Sequence, residues 1–553
     1  MIKFNTTHKS ILERYCKPIV HMRSQIRFNR FGLVFGAGLD KEFGVPKWAE
    51  LVDRIATDDD VKGSHILEIA PPRAALTYKT EMLWEHFKQS QYSKSSPEDF
   101  NTRKLDYKIG SNWKKIIRKH LYSGIVGNLD EMLAKHPYFE TYIPIIQNTH
   151  MTVTYNFNDF VEQFLYLRKL QDEKDTRGFE CVTNPWTQFK RRKAIIYHPN
   201  GVIPQNPLED PSDLFVFSES SFAKQLIGIY SGDQAGLLNH FSKHTCLLIG
   251  LSLEDETLRN VLMQEASSCP GNYHYYIQFV ENGNPVSDDD KKIISLANFR
   301  VYNLITLFLN NDEIKALGEL IDINKFSKND FCDFACENDI PVKFNFYLTG
   351  AMGVGKSTTL NYFRNLSVLD EWIDERLPVL AKDFEALPAH EKEKADKFVI
   401  SQFKLKNDYL RNEREGIFIL DRGPLDPLAF TQESEWNSKA DRILSTLCPG
   451  QATWQVEDGK VILLKGDPDE LSLRMVISQR EEYTADKLSK MEKMLTQAYQ
   501  GKGVVSVDTR GLLPCDVVKR VAEIIHLDGY KDKCNLNNRL LTIKKDGPNG
   551  TPA

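Results

Sequence analysis

The chain has 553 residues, which is long enough for two or more domains that each bury a full core. A hydrophobic content of 41%, a charged content of 27% and a formal net charge of −5 are ordinary for a globular protein and exclude a generally basic, nucleic-acid-binding surface. No apolar run reaches the roughly 18 residues of a membrane span, and no secretion signal follows Met1. The nine cysteines form no paired C-x₂-C modules, so we expect a reduced, cytoplasmic protein without a membrane partner.

The first half of the chain alternates short apolar segments with longer helical stretches. This order predicts an α/β fold with a parallel sheet and helices on both faces. A charged stretch centred near Trp84 to Leu121 predicts a helical insertion between the first two strands. The strand candidates are Phe31–Phe35, Met151–Thr154, Ala194–Tyr197, Thr245–Ile249 and Tyr273–Phe279.

Polar or glycine-rich segments follow four of these predicted strands. In an open parallel sheet, ligands bind at the carboxyl ends of the strands, so these segments are expected to surround one crevice. Each segment alone is weak, since turns need glycine and an asparagine can simply cap a helix. The segments are Gly36-Ala37-Gly38, Thr154-Tyr155-Asn156-Phe157-Asn158-Asp159, Tyr197-His198-Pro199-Asn200-Gly201 and Ile249-Gly250-Leu251-Ser252-Leu253-Glu254-Asp255.

Together these segments resemble the sirtuin superfamily, and more closely the sirtuin-like domains of bacterial anti-phage defence proteins. The resemblance implies a Rossmann-like fold that binds NAD and cleaves its nicotinamide–ribose bond. It implies that Asn156 orients the ribose or the attacking water and that His198 or its neighbour is the general base. The positions implied to contact NAD are Gly36, Ala37 and Gly38 at the pyrophosphate, with Asp40 and Asn200 nearby, and Gly250, Ser252 and Asp255 at the adenosine end.

Three positions depart from the family pattern. Asp40 stands where serine is usual, Asn158 where aspartate is usual, and Asn200 where histidine usually precedes the glycine. These departures put the catalytic base in question. The four-cysteine zinc module of sirtuin deacylases is missing as well, which favours NAD hydrolysis over deacylation.

The most specific motif lies far along the chain. Residues 350–358 read Gly-Ala-Met-Gly-Val-Gly-Lys-Ser-Thr, a complete G-x-x-x-x-G-K-[ST] phosphate-binding loop. A predicted strand, Phe344 to Thr349, enters it, and a predicted helix, Ser357 to Leu366, leaves it with its N-terminus toward the phosphates. The loop residues expected to hold ATP are Gly350, Gly353, Gly355, Lys356, Ser357 and Thr358, with the Ser357 hydroxyl on Mg²⁺.

A second strand in this region, Gly416 to Leu420, ends in Asp421-Arg422. Asp421 can ligate Mg²⁺ or accept a proton from a hydroxyl, and Arg422 can contact phosphates, although a helix cap explains Asp421 equally well. Beyond the strand Val461 to Leu464, a helix carries Arg474 and Arg480, which could close over a phosphoryl group. The order resembles thymidylate and deoxynucleoside kinases and implies a P-loop kinase fold.

We therefore predict two doubly wound domains and a defence effector that causes abortive infection. The sirtuin-like domain (1–326) would hydrolyse NAD, and the kinase-like domain (342–530) would gate it on binding a nucleoside triphosphate or a phage-derived trigger. A linker (327–341) and a flexible tail (531–553) complete the division, and we expect a homo-oligomer. The alternatives are an active nucleoside or nucleotide kinase with a regulatory sirtuin-like domain, and a nucleotide-gated assembly scaffold.

Overall fold

The chain forms two compact units in the computed structural model. The N-terminal unit comprises Met1–Ile11, Gln25–Ser268 and Tyr273–Lys325, and the C-terminal unit comprises Leu12–Ser24, Cys269–Asn272 and Phe326–Ala553. The residues described are 4–94, 102–125, 127–171, 178–183, 193–213, 215–231, 235–253, 255–281, 283, 286–381, 387–450, 455–477 and 483–550.

The N-terminal unit is built on a seven-stranded parallel sheet. Its strands are β1 (Phe31–Phe35), β2 (Met151–Thr154), β3 (Phe179–Val182), β4 (Ala194–Tyr197), β5 (Thr245–Ile249), β6 (His274–Phe279) and β7 (Leu304–Leu309). The strand order is β3-β4-β2-β1-β5-β6-β7. The chain passes from β1 to β2 on one side and later to β5 on the other, which creates a topological switch point at β1.

The helices of the first part of the chain include the predicted insertion between β1 and β2, which is confirmed. They are α1 (Thr6–Arg27), α2 (Trp48–Ala56), α3 (Ser64–Ile69), α4 (Leu76–Lys94), α5 (Thr102–Tyr122), α6 (Leu129–Lys135), α7 (Pro137–Glu140), α8 (Ile143–Asn148), α9 (Phe160–Gln171), α10 (Glu219–Ser231), α11 (Ala235–Lys243), α12 (Glu256–Ser268), α13 (Asp288–Tyr302) and α14 (Asn311–Ile321).

The C-terminal unit holds a second parallel sheet. Its strands are β8 (Lys343–Gly350), β9 (Ser367–Leu369), β10 (Gly416–Asp421), β11 (Lys460–Lys465) and β12 (Val504–Asp508), in the order β12-β11-β8-β10-β9. Its helices are α15 (Lys328–Glu337), α16 (Lys356–Leu360), α17 (Ala389–Asn412), α18 (Trp436–Leu447), α19 (Pro468–Ile477), α20 (Ala485–Ala498), α21 (Pro514–His526) and α22 (Leu536–Asp546). The two parallel α/β sheets confirm the predicted fold class.

The central strands are buried on both faces because helices cover both faces of a parallel sheet. Every residue of β1, β2, β4 and β5 is buried, as is every residue of β10. Such strands read as continuous hydrophobic runs rather than alternating ones. The edge strand β3 instead has partly buried and exposed residues and a polar Glu180.

Three predicted boundaries differ from the structure. The predicted linker contains α15, whose first turn is capped by the Ser327 side chain and whose Phe331 is buried. The predicted flexible tail contains α22, which buries residues 536, 540 and 543 on one face at helical spacing. The helix after the predicted phosphate-binding loop ends at Leu360, well before the predicted Leu366.

Among the described residues, none of the helices combines the length and apolarity that crossing a bilayer requires.

Candidate functional site

The four segments singled out in the N-terminal unit lie at one edge of its sheet. They follow β4, β2, β1 and β5, which are consecutive neighbours in the sheet. Tyr155 extends the ladder by donating its N–H to Phe35 O at 2.9 Å, and His198 donates its N–H to Val182 O at 2.8 Å. The candidate residues therefore emerge side by side at the switch point, where open α/β sheets bind their ligands.

The glycine loop after β1 packs closely on the loop after β5. Gly36 N donates to Ile249 O at 3.0 Å and Gly38 N donates to Gly250 O at 2.8 Å, so these two amides bind protein carbonyls. Ala37 and Gly38 are exposed at the edge of the sheet. The loop's glycines thus have a packing role that is independent of any ligand.

Replacing Gly250 with alanine is expected to destabilise the N-terminal unit by about 1–3 kcal/mol. Its φ is +69°, and an added Cβ would lie 2.4 Å from Leu39 N, so the substitution strains the backbone and pushes the two loops apart. Gly110→Ala is the matched control, because a Cβ there meets nothing within 4 Å and alanine favours the helix α5. Thermal unfolding should show a lower midpoint for Gly250→Ala alone; equal midpoints would contradict this packing.

Asp40 and Asn156 form the centre of the site. The Asp40 carboxylate accepts hydrogen bonds from Asn156 Nδ2 and, at 2.8 Å, from Asn158 Nδ2. Asp40 is only 1% exposed, and this burial raises the pKa of its carboxyl to about 7, although the two amides favour the carboxylate. Two of the three departures from the family pattern, Asp40 and Asn158, thus contact each other.

The orientation of the Asn156 amide follows from these contacts. Because Nδ2 must face the carboxylate, Oδ1 faces away from it, and this buried oxygen has no hydrogen-bond partner among the described residues. A buried polar atom without a partner costs free energy unless something else satisfies it. A water or a ribose hydroxyl donating to Asn156 Oδ1 fits this requirement, so the residues present fit an NAD ribose.

His198 lies beneath Asn156 and is fully buried. Its Nδ1 lies 3.2 Å from Asn156 O and its Nε2 lies 2.6 Å from Glu162 Oε1. Burial alone would lower the pKa of His198, but the Glu162 carboxylate raises it to about 10. In the metal-free chain the protonated ring is therefore favoured, which makes His198 poorly suited to act as a general base.

Glu162 is a site residue that sequence reasoning missed. It lies in the first turn of α9, three residues after Asp159. The signal available in the sequence was its position just after a polar strand end, but its contact with His198 depends on where α9 packs. Glu162 therefore acts on Asn156 only through His198, whereas the Asp40 carboxyl contacts the Asn156 amide directly.

The remaining predicted residues have other contacts. Asn200 and His198 have different partners, because Asn200 Oδ1 accepts from Gln225 Nε2 at 3.0 Å. Asp255 caps α12, because its Oδ1 accepts from Leu258 N at 2.9 Å. Ser252 is exposed at the same edge of the sheet.

The predicted phosphate-binding loop of the C-terminal unit joins β8 to α16 at the switch point of the second sheet, since β10 and β11 flank β8. Lys356 is buried and its Nζ donates to Gly350 O at 2.8 Å and Ala351 O at 2.9 Å. Burial, with the nearby Arg422 guanidinium, lowers the pKa of Lys356 to about 7.

Gly355 has a φ of +101°, and a Cβ there would meet no atom within 4 Å, so the loop is open beside it. Gly353 instead packs on α19, and Thr358 is exposed.

Asp421 lies at the end of β10, next to the first turn of α16. Its Oδ2 accepts from Ser357 Oγ at 3.3 Å, while its buried Oδ1 has no partner in the described part of the chain. Burial raises the pKa of this carboxyl. Two hard oxygen donors side by side, one of them an unsatisfied carboxylate oxygen, fit Mg²⁺.

Two of the three predicted phosphate-binding arginines form ion pairs. Arg422, in the left-handed region at φ +67°, donates its Nε to Glu371 Oε1 at 2.6 Å and Nη1 to Asp426 Oδ2 at 3.4 Å. Arg474 pairs with Glu470 on its own helix at 2.5 Å. Arg480 lies outside the described residues.

One protein family matches part of the chain. Residues 150–302 match the model of the SIR2-like domain, which includes Asn156, His198, Asn200, Gly250, Ser252 and Asp255. The match supports the sirtuin-like part of the resemblance and an NAD-related activity for the N-terminal unit. None of the curated proteins matches the chain.

Proposed function

We propose that this protein is an anti-phage defence effector whose N-terminal unit hydrolyses NAD to nicotinamide and ADP-ribose under the control of a nucleotide-binding C-terminal unit. The observation that carries the proposal is the Asn156 amide, oriented by Asp40 and left with an unsatisfied buried oxygen at the switch point. The similarity of residues 150–302 to SIR2-like domains supports NAD as the ligand.

The proposed reaction breaks the bond between nicotinamide nitrogen and ribose C1′. The bonding electron pair leaves with nicotinamide, which departs as a neutral molecule, while a water oxygen bonds to C1′. Asn156 Oδ1 positions a ribose hydroxyl, and Asp40 accepts the proton that the water loses. A pKa of about 7 suits that role at neutral pH, whereas His198 is already protonated there.

The activity is tested by incubating the full chain with NAD and following nicotinamide release by chromatography. Parallel samples contain ATP, other nucleotides or lysate of phage-infected cells, because the trigger could be any of these. Release that depends on one of these additions supports gating, and release without any addition supports hydrolysis without gating. No release under any condition would overturn the proposed hydrolase.

The C-terminal unit is proposed to bind ATP with Mg²⁺ through the loop at Gly350 to Thr358. Lys356→Ala is expected to weaken ATP binding by roughly 10- to 100-fold, since a charge-assisted hydrogen bond contributes about 1.5–3 kcal/mol. Lys397→Ala, an exposed lysine that pairs with Glu393 on α17, is the matched control and should bind ATP normally. Calorimetric titration measures both; equal affinities in the two variants would contradict the loop's role.

Phosphoryl transfer is a second candidate function, favoured by the buried Asp421 oxygen that lacks a partner in the described structure. A carboxylate there could hold Mg²⁺ or accept the proton of an attacking hydroxyl. Incubation with labelled ATP and a panel of nucleosides and nucleoside monophosphates tests it. Transfer that is lost in Asp421→Asn supports a working kinase, and the absence of any labelled product counts against one.

A further inference from the structure

Glu162, Cys181 and His198 bring three different metal-binding groups together in the N-terminal unit. One ligand atom from each residue lies within 4.8 Å of the other two. They come from separate elements, since Glu162 is on α9, Cys181 is on β3 and His198 follows β4. We propose that these three residues bind one Zn²⁺ ion.

The buried oxygen of Glu162 is an independent observation that points to a ligand. Glu162 Oε1 contacts His198 Nε2, but Oε2 is buried and has no hydrogen-bond partner among the residues described. A carboxylate oxygen left unsatisfied beside an imidazole and a thiol is a donor for a cation. The hydrogen bond to His198 therefore satisfies only one of the two carboxylate oxygens of Glu162.

The contacts of His198 fit those of a metal ligand. Metal-binding histidines usually direct their second ring nitrogen to a backbone carbonyl or carboxylate, which fixes the tautomer. Here Nδ1 lies 3.2 Å from Asn156 O, so it can donate to that carbonyl and leave Nε2 to face Glu162 and Cys181. Zinc binding would displace the Nε2 proton and the thiol proton, as metal binding to such ligands does.

The ligand chemistry selects zinc rather than magnesium or calcium. Zn²⁺ accepts thiolate, imidazole and carboxylate together, and three protein ligands leave a fourth tetrahedral position for water. Tetrahedral zinc needs ligand atoms about 3.5 Å apart, so zinc binding would replace the 2.6 Å contact between His198 Nε2 and Glu162 Oε1 with two metal bonds. Cys181 is exposed, which gives an ion access from solvent to the two buried ligands.

The test uses the full chain, stripped with a chelator and dialysed against limiting Zn²⁺. We expect one bound zinc per chain by elemental analysis, and at least tenfold weaker binding in Cys181→Ser. Cys336→Ser is the matched control, because Cys336 is another exposed cysteine and lies in the C-terminal unit. Replacement of Zn²⁺ by Co²⁺ should give thiolate charge-transfer absorption in the native chain and in Cys336→Ser but not in Cys181→Ser.

Glu162→Gln separates a metal ligand from a hydrogen-bonding partner. In the native chain, zinc bound to Cys181 should slow alkylation of its thiol. Glutamine at position 162 can still accept a hydrogen bond from His198 but lacks the charge of a zinc ligand. Zinc should therefore not slow alkylation of Cys181 in this variant. Peptide mapping of alkylated protein with and without Zn²⁺ gives that readout even where Cys181→Ser fails to fold. No bound zinc in the native chain, or unchanged binding in both variants, would overturn the proposal whether or not NAD is cleaved.

Discussion

Asn156→Ala is expected to lower the rate of nicotinamide release by about 10²- to 10³-fold, the usual effect of removing one preorganised polar group from a reacting centre. Asp40 contacts Asn156 Nδ2 and His198 contacts its carbonyl oxygen, while Oδ1 has no hydrogen-bond partner among the described residues. Alanine keeps the backbone contact with His198 but removes the oriented oxygen. The substitution should therefore lower kcat for nicotinamide release more than it lowers the stability of the N-terminal unit.

Two further variants make this result specific. Asn206→Ala removes an exposed amide in the same unit and should release nicotinamide at the native rate. Asn156→Asp places a second carboxylate against Asp40, so it should be as inactive as alanine and also less stable at neutral pH because of like-charge repulsion. Near-native release by Asn156→Ala, with circular dichroism unchanged, would remove Asn156 from the mechanism.

The central strands were predictable because a buried parallel strand can be recognised from the apolar residues within the strand itself. Phe31–Phe35 and Thr245–Ile249 are continuous apolar runs, as buried parallel strands must be, and both are observed with those bounds. The missed strands lacked such a signal or a clear boundary. The edge strand β3 is short and partly polar, and β7 follows α13 directly through Asn303, with no proline or glycine between them.

The site was predictable where it depends on strand ends and unpredictable where it depends on helix packing. The rule that parallel strands end at the same edge was enough to group Asn156 with His198. The same rule says nothing about Glu162, whose position depends on how α9 packs, or about the direction of the Asn200 side chain. β4 ends at Tyr197, so His198 and Asn200 lie beyond the strand and its alternation of faces does not relate their side chains.

The contacts of Asp40 could not be predicted from its place in the glycine loop. That place suggested a carboxylate near a phosphate, which would repel it. In the structure the carboxylate instead faces two asparagine amides and is buried, and this burial is the largest influence on its pKa. A charge that is unfavourable beside a phosphate is useful beside a sugar that becomes positive during the reaction.

Asp40→Asn is expected to lower kcat/KM for NAD cleavage by about 10²- to 10⁴-fold and to remove the rise of activity with pH. A base works only when deprotonated, so native activity should increase as pH rises through about 7, where the buried Asp40 ionises. An ordinary aspartate would give that rise near pH 4. Asparagine can still accept a hydrogen bond from Asn156, so the geometry is kept while the proton acceptor is lost.

The pH profile also discriminates Asp40 from His198 as the proton acceptor. In the metal-free chain the Glu162 carboxylate raises the pKa of His198 well above 7, so a rise centred near pH 7 is not expected from its titration. Asp40→Glu should keep a rise with pH, whereas Asp40→Asn should be flat and low across the same range. Stability supplies a second readout: because burial raises the Asp40 pKa, native stability should decrease between about pH 4 and 7, and Asp40→Asn should lose that slope. A full rise near pH 7 in Asp40→Asn would assign the proton to another group.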